Sequence, residues 1–121
     1  MPRYKGSTYY LAGWVASGSQ PVLLGILPIA SYVARVHVHC TTAFNGDGTD
    51  NITVGYTGTT NAFSTNADVS TTGVKTITLG ANIGYQTVSR EINAYYVNGG
   101  SEPTTGRALV IVEFFLAAVV P

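Results

Sequence analysis

Between Ser31 and Tyr56 the side chains alternate in character more clearly than anywhere else in the chain, and that alternation limits the folds open to it. Tyr32, Ala34, Val36, Val38, Cys40, Thr42 and Phe44 share one parity; Val33, Arg35, His37, His39, Thr41 and Ala43 share the other. Successive side chains of a strand point to opposite faces, so the pattern predicts a half-buried strand. Asn45-Gly46-Asp47-Gly48 then supplies residues that tolerate positive φ and reverse the chain. Ile52, Val54 and Tyr56 resume the alternation. The stretch therefore predicts a long hairpin with one apolar face, on which the core is built.

The remaining segments repeat the motif at shorter length. Ser7 to Ala16 is apolar or aromatic on both parities, which fits either an aromatic arm or a first strand covered on both faces. Ser17 to Pro21 is a turn, Val22 to Leu27 a short strand, and Pro28 bars that strand from continuing in a central ladder. After Tyr56 the chain turns Gly-, Thr- and Asn-rich through Thr72, predicting a long surface loop with one helical turn around Asn61 to Ser64 and Phe63 as its anchor. Strands are expected at Val74 to Leu79, Tyr85 to Val88, Glu91 to Val97 and Arg107 to Phe115. In the last of these, Ala108, Val110, Val112 and Phe114 form one face. Short strands separated by turns, with no amphipathic helix, define an all-β class, an antiparallel β-sandwich. A jelly roll is one way to close it. Residues 1–30 are expected as an extended N-terminal arm with the first short strands, and 31–121 as the sandwich core of a single domain.

Composition narrows the function. Charged residues make up 10% of the chain and the formal net charge is zero, which favours association between copies. Six scattered Lys and Arg residues form no basic stripe, so nucleic acid is not an expected partner. The basic start is followed by Ser7, Thr8, Tyr9 and Tyr10 rather than by the apolar stretch of a secretory leader, so the chain is expected in a cytoplasm or in a particle made there. Without such a leader, the acceptor pattern Asn51-Ile52-Thr53 carries no weight. Ala108 to Val120 contains Glu113 and is too short to cross a bilayer as a helix, so no membrane partner is expected. Cys40 is the single cysteine and forms no intrachain disulfide.

Three constellations bear on chemistry. His37 and His39 lie two apart on one strand, hence on one face, as two imidazoles of a metal site would. In cupins such a pair is followed by a glutamate; here Ala43 and Phe44 hold the matching positions, so an exposed or interface pair is expected instead. Asn45 to Asn51 is rich in oxygen ligands, but it lacks the closing glutamate of an EF-hand and fits a plain turn. No serine lies in a nucleophile elbow and no carboxylates resolve into a catalytic pair, so no catalytic residue, metal or cofactor is expected.

Arg35 to Gly55, RVHVHCTTAFNGDGTDNITVG, resembles the recurrent pattern of small β-sandwich virion proteins of tailed bacteriophages. Asn61-Ala62-Phe63, Ile92-Asn93-Ala94-Tyr95-Tyr96, Thr105-Gly106 and Ala108 to Phe114 extend that resemblance across residues 33–115. It implies a capsid cement or decoration protein: copies, as dimers or trimers, on the outside of an assembled head, partnered by the major capsid protein. Aromatics concentrate binding energy at interfaces, so the expected contacts are Tyr4, Tyr9, Tyr10, Leu11 and Trp14. The apolar end from Phe115 to Val120, including Leu116, is a second candidate. Two competing readings remain. One is a tail- or fibre-associated receptor- or carbohydrate-binding module using Tyr85, Tyr95 and Tyr96; the other is a metal-dependent β-barrel enzyme using His37 and His39.

Overall fold

Alternating branched and aromatic residues give strands with one apolar face, and two such faces bury each other. The computed structural model describes residues 8–18, 21–46 and 49–116. Its strands are β1 (Tyr9–Ala16), β2 (Val22–Leu27), β3 (Ser31–Thr42), β4 (Asp50–Tyr56), β5 (Thr59–Asn66), β6 (Gly73–Val74), β7 (Thr78–Leu79), β8 (Gly84–Tyr85), β9 (Arg90–Asn98) and β10 (Arg107–Leu116). Sheet A runs β1-β10-β3-β6, with β8 also beside β3; sheet B runs β2-β9-β4-β5-β7. All pairings are antiparallel. The result is an all-β antiparallel sandwich whose chain passes from one sheet to the other at nearly every connection.

The core lies between the sheets. Val36, Val38 and Cys40 of β3 meet Ile92, Ala94 and Tyr96 of β9, Ile52 and Val54 of β4, and Ala108, Val110, Val112 and Phe114 of β10. The parity expected for β9 and β10 is the parity found.

Strand β3 departs from strict alternation. Its register with β10 shifts between Glu113 and Phe114, where Ala34 is the extra residue, and again near Arg107, where Thr41 is. Each bulge reverses the facing of the residues beyond it. Val33 and Ser31 are therefore buried while Tyr32 is exposed, the reverse of the facing expected from the sequence.

Ser31 to Tyr56 is not a hairpin. β3 belongs to sheet A and β4 to sheet B. Phe44 stacks on Tyr96 inside the core, ring centroids 5.0 Å apart, and draws the connection across the end of the sandwich. The Phe44 amide donates to the Val69 carbonyl at 2.9 Å, and the Val69 amide donates to that of Asp50 at 3.0 Å. Alternation reports which face of a strand is buried, not which strand lies beside it.

Two further expectations are corrected. The polar segment after Tyr56 is β5, not a loop with a helical turn, and it forms a hairpin with β4 through Thr57-Gly58, where Gly58 has φ 94°. Phe63 is fully buried, as expected of an anchor. Val74 to Leu79 is not one strand: Val74 pairs with His39 in sheet A, whereas Leu79 pairs with Ser64 in sheet B. Between them the Lys75 amide donates to the Val38 carbonyl at 2.8 Å. Of Tyr85 to Val88, Tyr85 alone is in a strand.

The crossing between β3 and β4 also rests on a buried polar pair. Asp50 is 2% exposed, and its carboxylate accepts the Tyr96 hydroxyl. Burial, and then that hydrogen bond, push the Tyr96 hydroxyl up to about 12. The folded pKa lies above the unfolded one, so this contribution to stability is complete below pH 10 and is lost as the pH rises through about 12. Tyr96→Phe leaves a buried carboxylate short of a donor, a loss of about 1–3 kcal/mol at neutral pH in denaturant melts. The variant's deficit against the parent should shrink in the same melts between pH 10 and about 12.

A second stability prediction concerns Gly106, which has φ 144° and whose missing side chain leaves space for the Phe44 ring. Gly106→Ala combines backbone strain with overlap against a buried aromatic. We expect a loss of about 2 kcal/mol or more, read as a lowered denaturant midpoint at unchanged slope.

Candidate interaction face

The register of sheet A determines what its outer face presents. Side chains directly opposite one another form four rows across the sheet. Trp14, Leu109, His39 and Val74 make the first; Ala12, Ile111 and His37 the second. Tyr10, Glu113 and Arg35 make the third; Phe115, Tyr32 and Tyr85 the fourth. Aromatic side chains thus occur at both ends of this face, with aliphatic and charged groups between them.

Contacts within and between the rows, and with Arg107 beside them, hold these side chains in place. Tyr32 stacks on Phe115 with centroids 5.0 Å apart. The Arg107 guanidinium lies 3.8 Å from the centroid of Trp14, which fixes the indole against the sheet. His37 Nε2 lies 3.0 Å from Glu113 Oε1, donating to the carboxylate. Ordered, outward aromatic groups carry little rotamer entropy to lose on binding, the property that concentrates interface energy in Tyr and Trp.

The expected contact residues divide by facing. Tyr10 (60% exposed) and Trp14 (41% exposed) look outward from β1, and Phe115 joins them from β10. Tyr9, Leu11 and Leu116 turn the other way: Tyr9 stacks on Phe114, Leu11 packs in the space left by Gly25, and Leu116 packs against the core opposite Ser31. Leu11 and Leu116 thus lie on the core-facing side, and Tyr9 shares that side while staying 45% exposed, because alternation places neighbours in a strand on opposite sides. Tyr4 and residues 117–120 lie outside the described residues.

His37 and His39 share the outer face, as their spacing predicted. His37 pairs instead with an acid from the adjacent strand, Glu113. Sequence reading could not find it, because it lies across a strand pairing that periodicity does not reveal. Among the described residues, no three His, Cys, Asp or Glu side chains gather as a metal site. In the loop expected to be a turn, Asp50 is taken up by Tyr96.

The sugar platform does not assemble. Tyr96 is buried, Tyr85 lies on sheet A and Tyr95 on sheet B. One shallow groove adjoins sheet B, where Arg90 lies 3.9 Å from the ring centroid of Tyr56. That contact joins β4 to β9.

No family model and no curated protein matches the chain. In fold it is similar to a chain of the cyanophage Pam1 capsid asymmetric unit, with a TM-score of 0.71 and 17% identity over 96% of this chain and 91% of that one. It is also similar to a chain of the acid-stable capsid structure of the Helicobacter pylori bacteriophage KHP30. There the TM-score is 0.65 and the identity 16%, over 91% of this chain and 88% of that one. Both alignments run nearly end to end in both partners. The chain therefore shares its whole fold with chains found in two phage capsids.

Proposed function

We propose that the protein is a structural subunit of a phage virion, a cement or decoration protein on the outside of an assembled head that stabilises contacts between major capsid proteins. The observation that carries the reading is the end-to-end likeness to chains found in two phage capsids. The site is consistent with it. Outward rows of aromatic and aliphatic side chains suit a protein partner, whereas small-molecule sites are concave. We place the outer face of sheet A against the capsid.

The mechanism is linkage. A subunit that binds the assembled lattice, and not its dissociated parts, stabilises the lattice by mass action. Repetition over a shell makes weak individual contacts sufficient, because each copy bridging two capsid subunits gains effective concentration. No chemistry is required of the subunit, in keeping with a structural and non-catalytic role.

The test is co-sedimentation with heads assembled without the protein. We expect saturable binding at a fixed ratio to the major capsid protein and heads that survive to a higher temperature. Ile111→Glu places a carboxylate at the middle of the proposed contact, beside Glu113 and away from the edge of the sheet. It should weaken binding at least about thirtyfold, on the order of 2 kcal/mol, with the melting transition of the free protein little changed. Folded protein that leaves the heads untouched would remove the proposal.

A further inference from the structure

We propose that two copies of the chain join along β1, antiparallel, about a two-fold axis through Ala12. The first observation is how unequally the sheet edges are protected. Exposed edge strands template pairing with other chains, and proteins blunt them with short strands, bulges, prolines or charges. The far edge of sheet A consists of β6 and β8, two residues each, and the far edge of sheet B is β7, also two. On the near side, β2 carries a register shift between Leu23 and Gly25 and is flanked by Pro21 and Pro28. Among the described residues, β1 has none of these devices. It is eight residues long, its register with β10 is unbroken, and no charged residue occurs in the sequence between Lys5 and Arg35.

The second observation is self-complementarity. Residues directly opposite in an antiparallel pair share a face, so a two-fold pairing must match outward residues with outward ones. With Ala12 opposite its own copy, Tyr10 falls opposite Trp14 of the partner subunit and Trp14 opposite Tyr10 of the partner subunit. This gives two aromatic cross-strand pairs on the outer face. On the inner face Leu11 meets Gly13 of the partner subunit, so the largest inward aliphatic group faces the residue with no side chain. The small residue lies on the axis, where two copies of one side chain must coexist.

The third is what lies beside the seam. β2 packs under β1, with Leu24 and Val22 against Gly13 and Leu11 in the space at Gly25. Joining two copies at β1 brings their β2 strands together. Leu23 and Ile26 on that strand are 56% and 60% exposed. The occupant is a second copy rather than a charged strand of another protein: both partners are uncharged along the whole seam, and a chain of zero net charge does not repel itself.

The inference concerns the free protein and stands apart from binding to heads, so each can fail alone. Sedimentation equilibrium of the full chain should give twice the 12.7 kDa subunit mass. Ala12→Lys sets two ammonium groups side by side on the axis while leaving an exposed position of the subunit core intact, and should return the monomer mass with an unchanged circular dichroism spectrum. Ala12→Cys should form a covalent dimer on mild oxidation faster than Thr60→Cys, an exposed control elsewhere. A monomeric or trimeric parent would overturn the proposal. So would an Ala12→Cys chain that cross-links no faster than the control. If Ala12→Lys does not fold, the cysteine pair decides alone.

Discussion

Insertion of β10 between β1 and β3 is the pairing on which the rest of the molecule depends. Arg107 to Leu116 supplies Ala108, Val110, Val112 and Phe114 to the core while giving a ladder to each neighbour. Without it β1 has no place in a sheet, and each of the first three rows of the outer face loses the member that joins β1 to β3. The interacting residues lie far apart in sequence, as do most contacts in this fold, and such topologies form slowly because loop closure precedes its reward. Among the described residues, β4 and β5 are the one pair of successive strands joined in a ladder, through Thr57-Gly58.

Much of the fold is legible in the sequence where burial and periodicity agree. β9 and β10 each lie inside a sheet beside apolar neighbours, and their inward parities follow directly from Ile92, Ala94 and Tyr96 and from Ala108 to Phe114. β3 defeats the same reasoning for a local reason: bulges at Ala34 and Thr41 insert residues that alternation counts as ordinary ones. β5 hides because its composition is that of a loop. Asn, Thr and Ser are tolerated there because the backbone ladder to β4 and the burial of Phe63 hold the segment. The failed hairpin shows a different limit, since a turn signal such as Asn45-Gly46 reports that the chain bends and not which sheet it enters.

The candidate face is partly legible for a related reason. Tyr10, Trp14 and Phe115 are picked out by their size in a chain of low charge, but the same criterion picks Tyr9, Leu11 and Leu116, which face inward. Type alone does not separate them; parity does, once a sheet is assigned. Tyr32, Ile111 and Glu113 join the face through strand pairing, and no local pattern announces them. The His37–Glu113 contact spans 76 positions in sequence and exists because Ile111 lies opposite His37, with Glu113 one pleat further along.

The antiparallel union of β1 with β10 also governs how the protein answers to force. Tyr9, near the start of the described chain, lies opposite Phe114, near its end. A pull that separates the two ends acts along the hydrogen bonds between these strands, which run perpendicular to them, and opens the ladder one pair at a time. A load carried through the outer face of sheet A meets all four rows together. The molecule is thus weaker when drawn out by its ends than when loaded across its broad side.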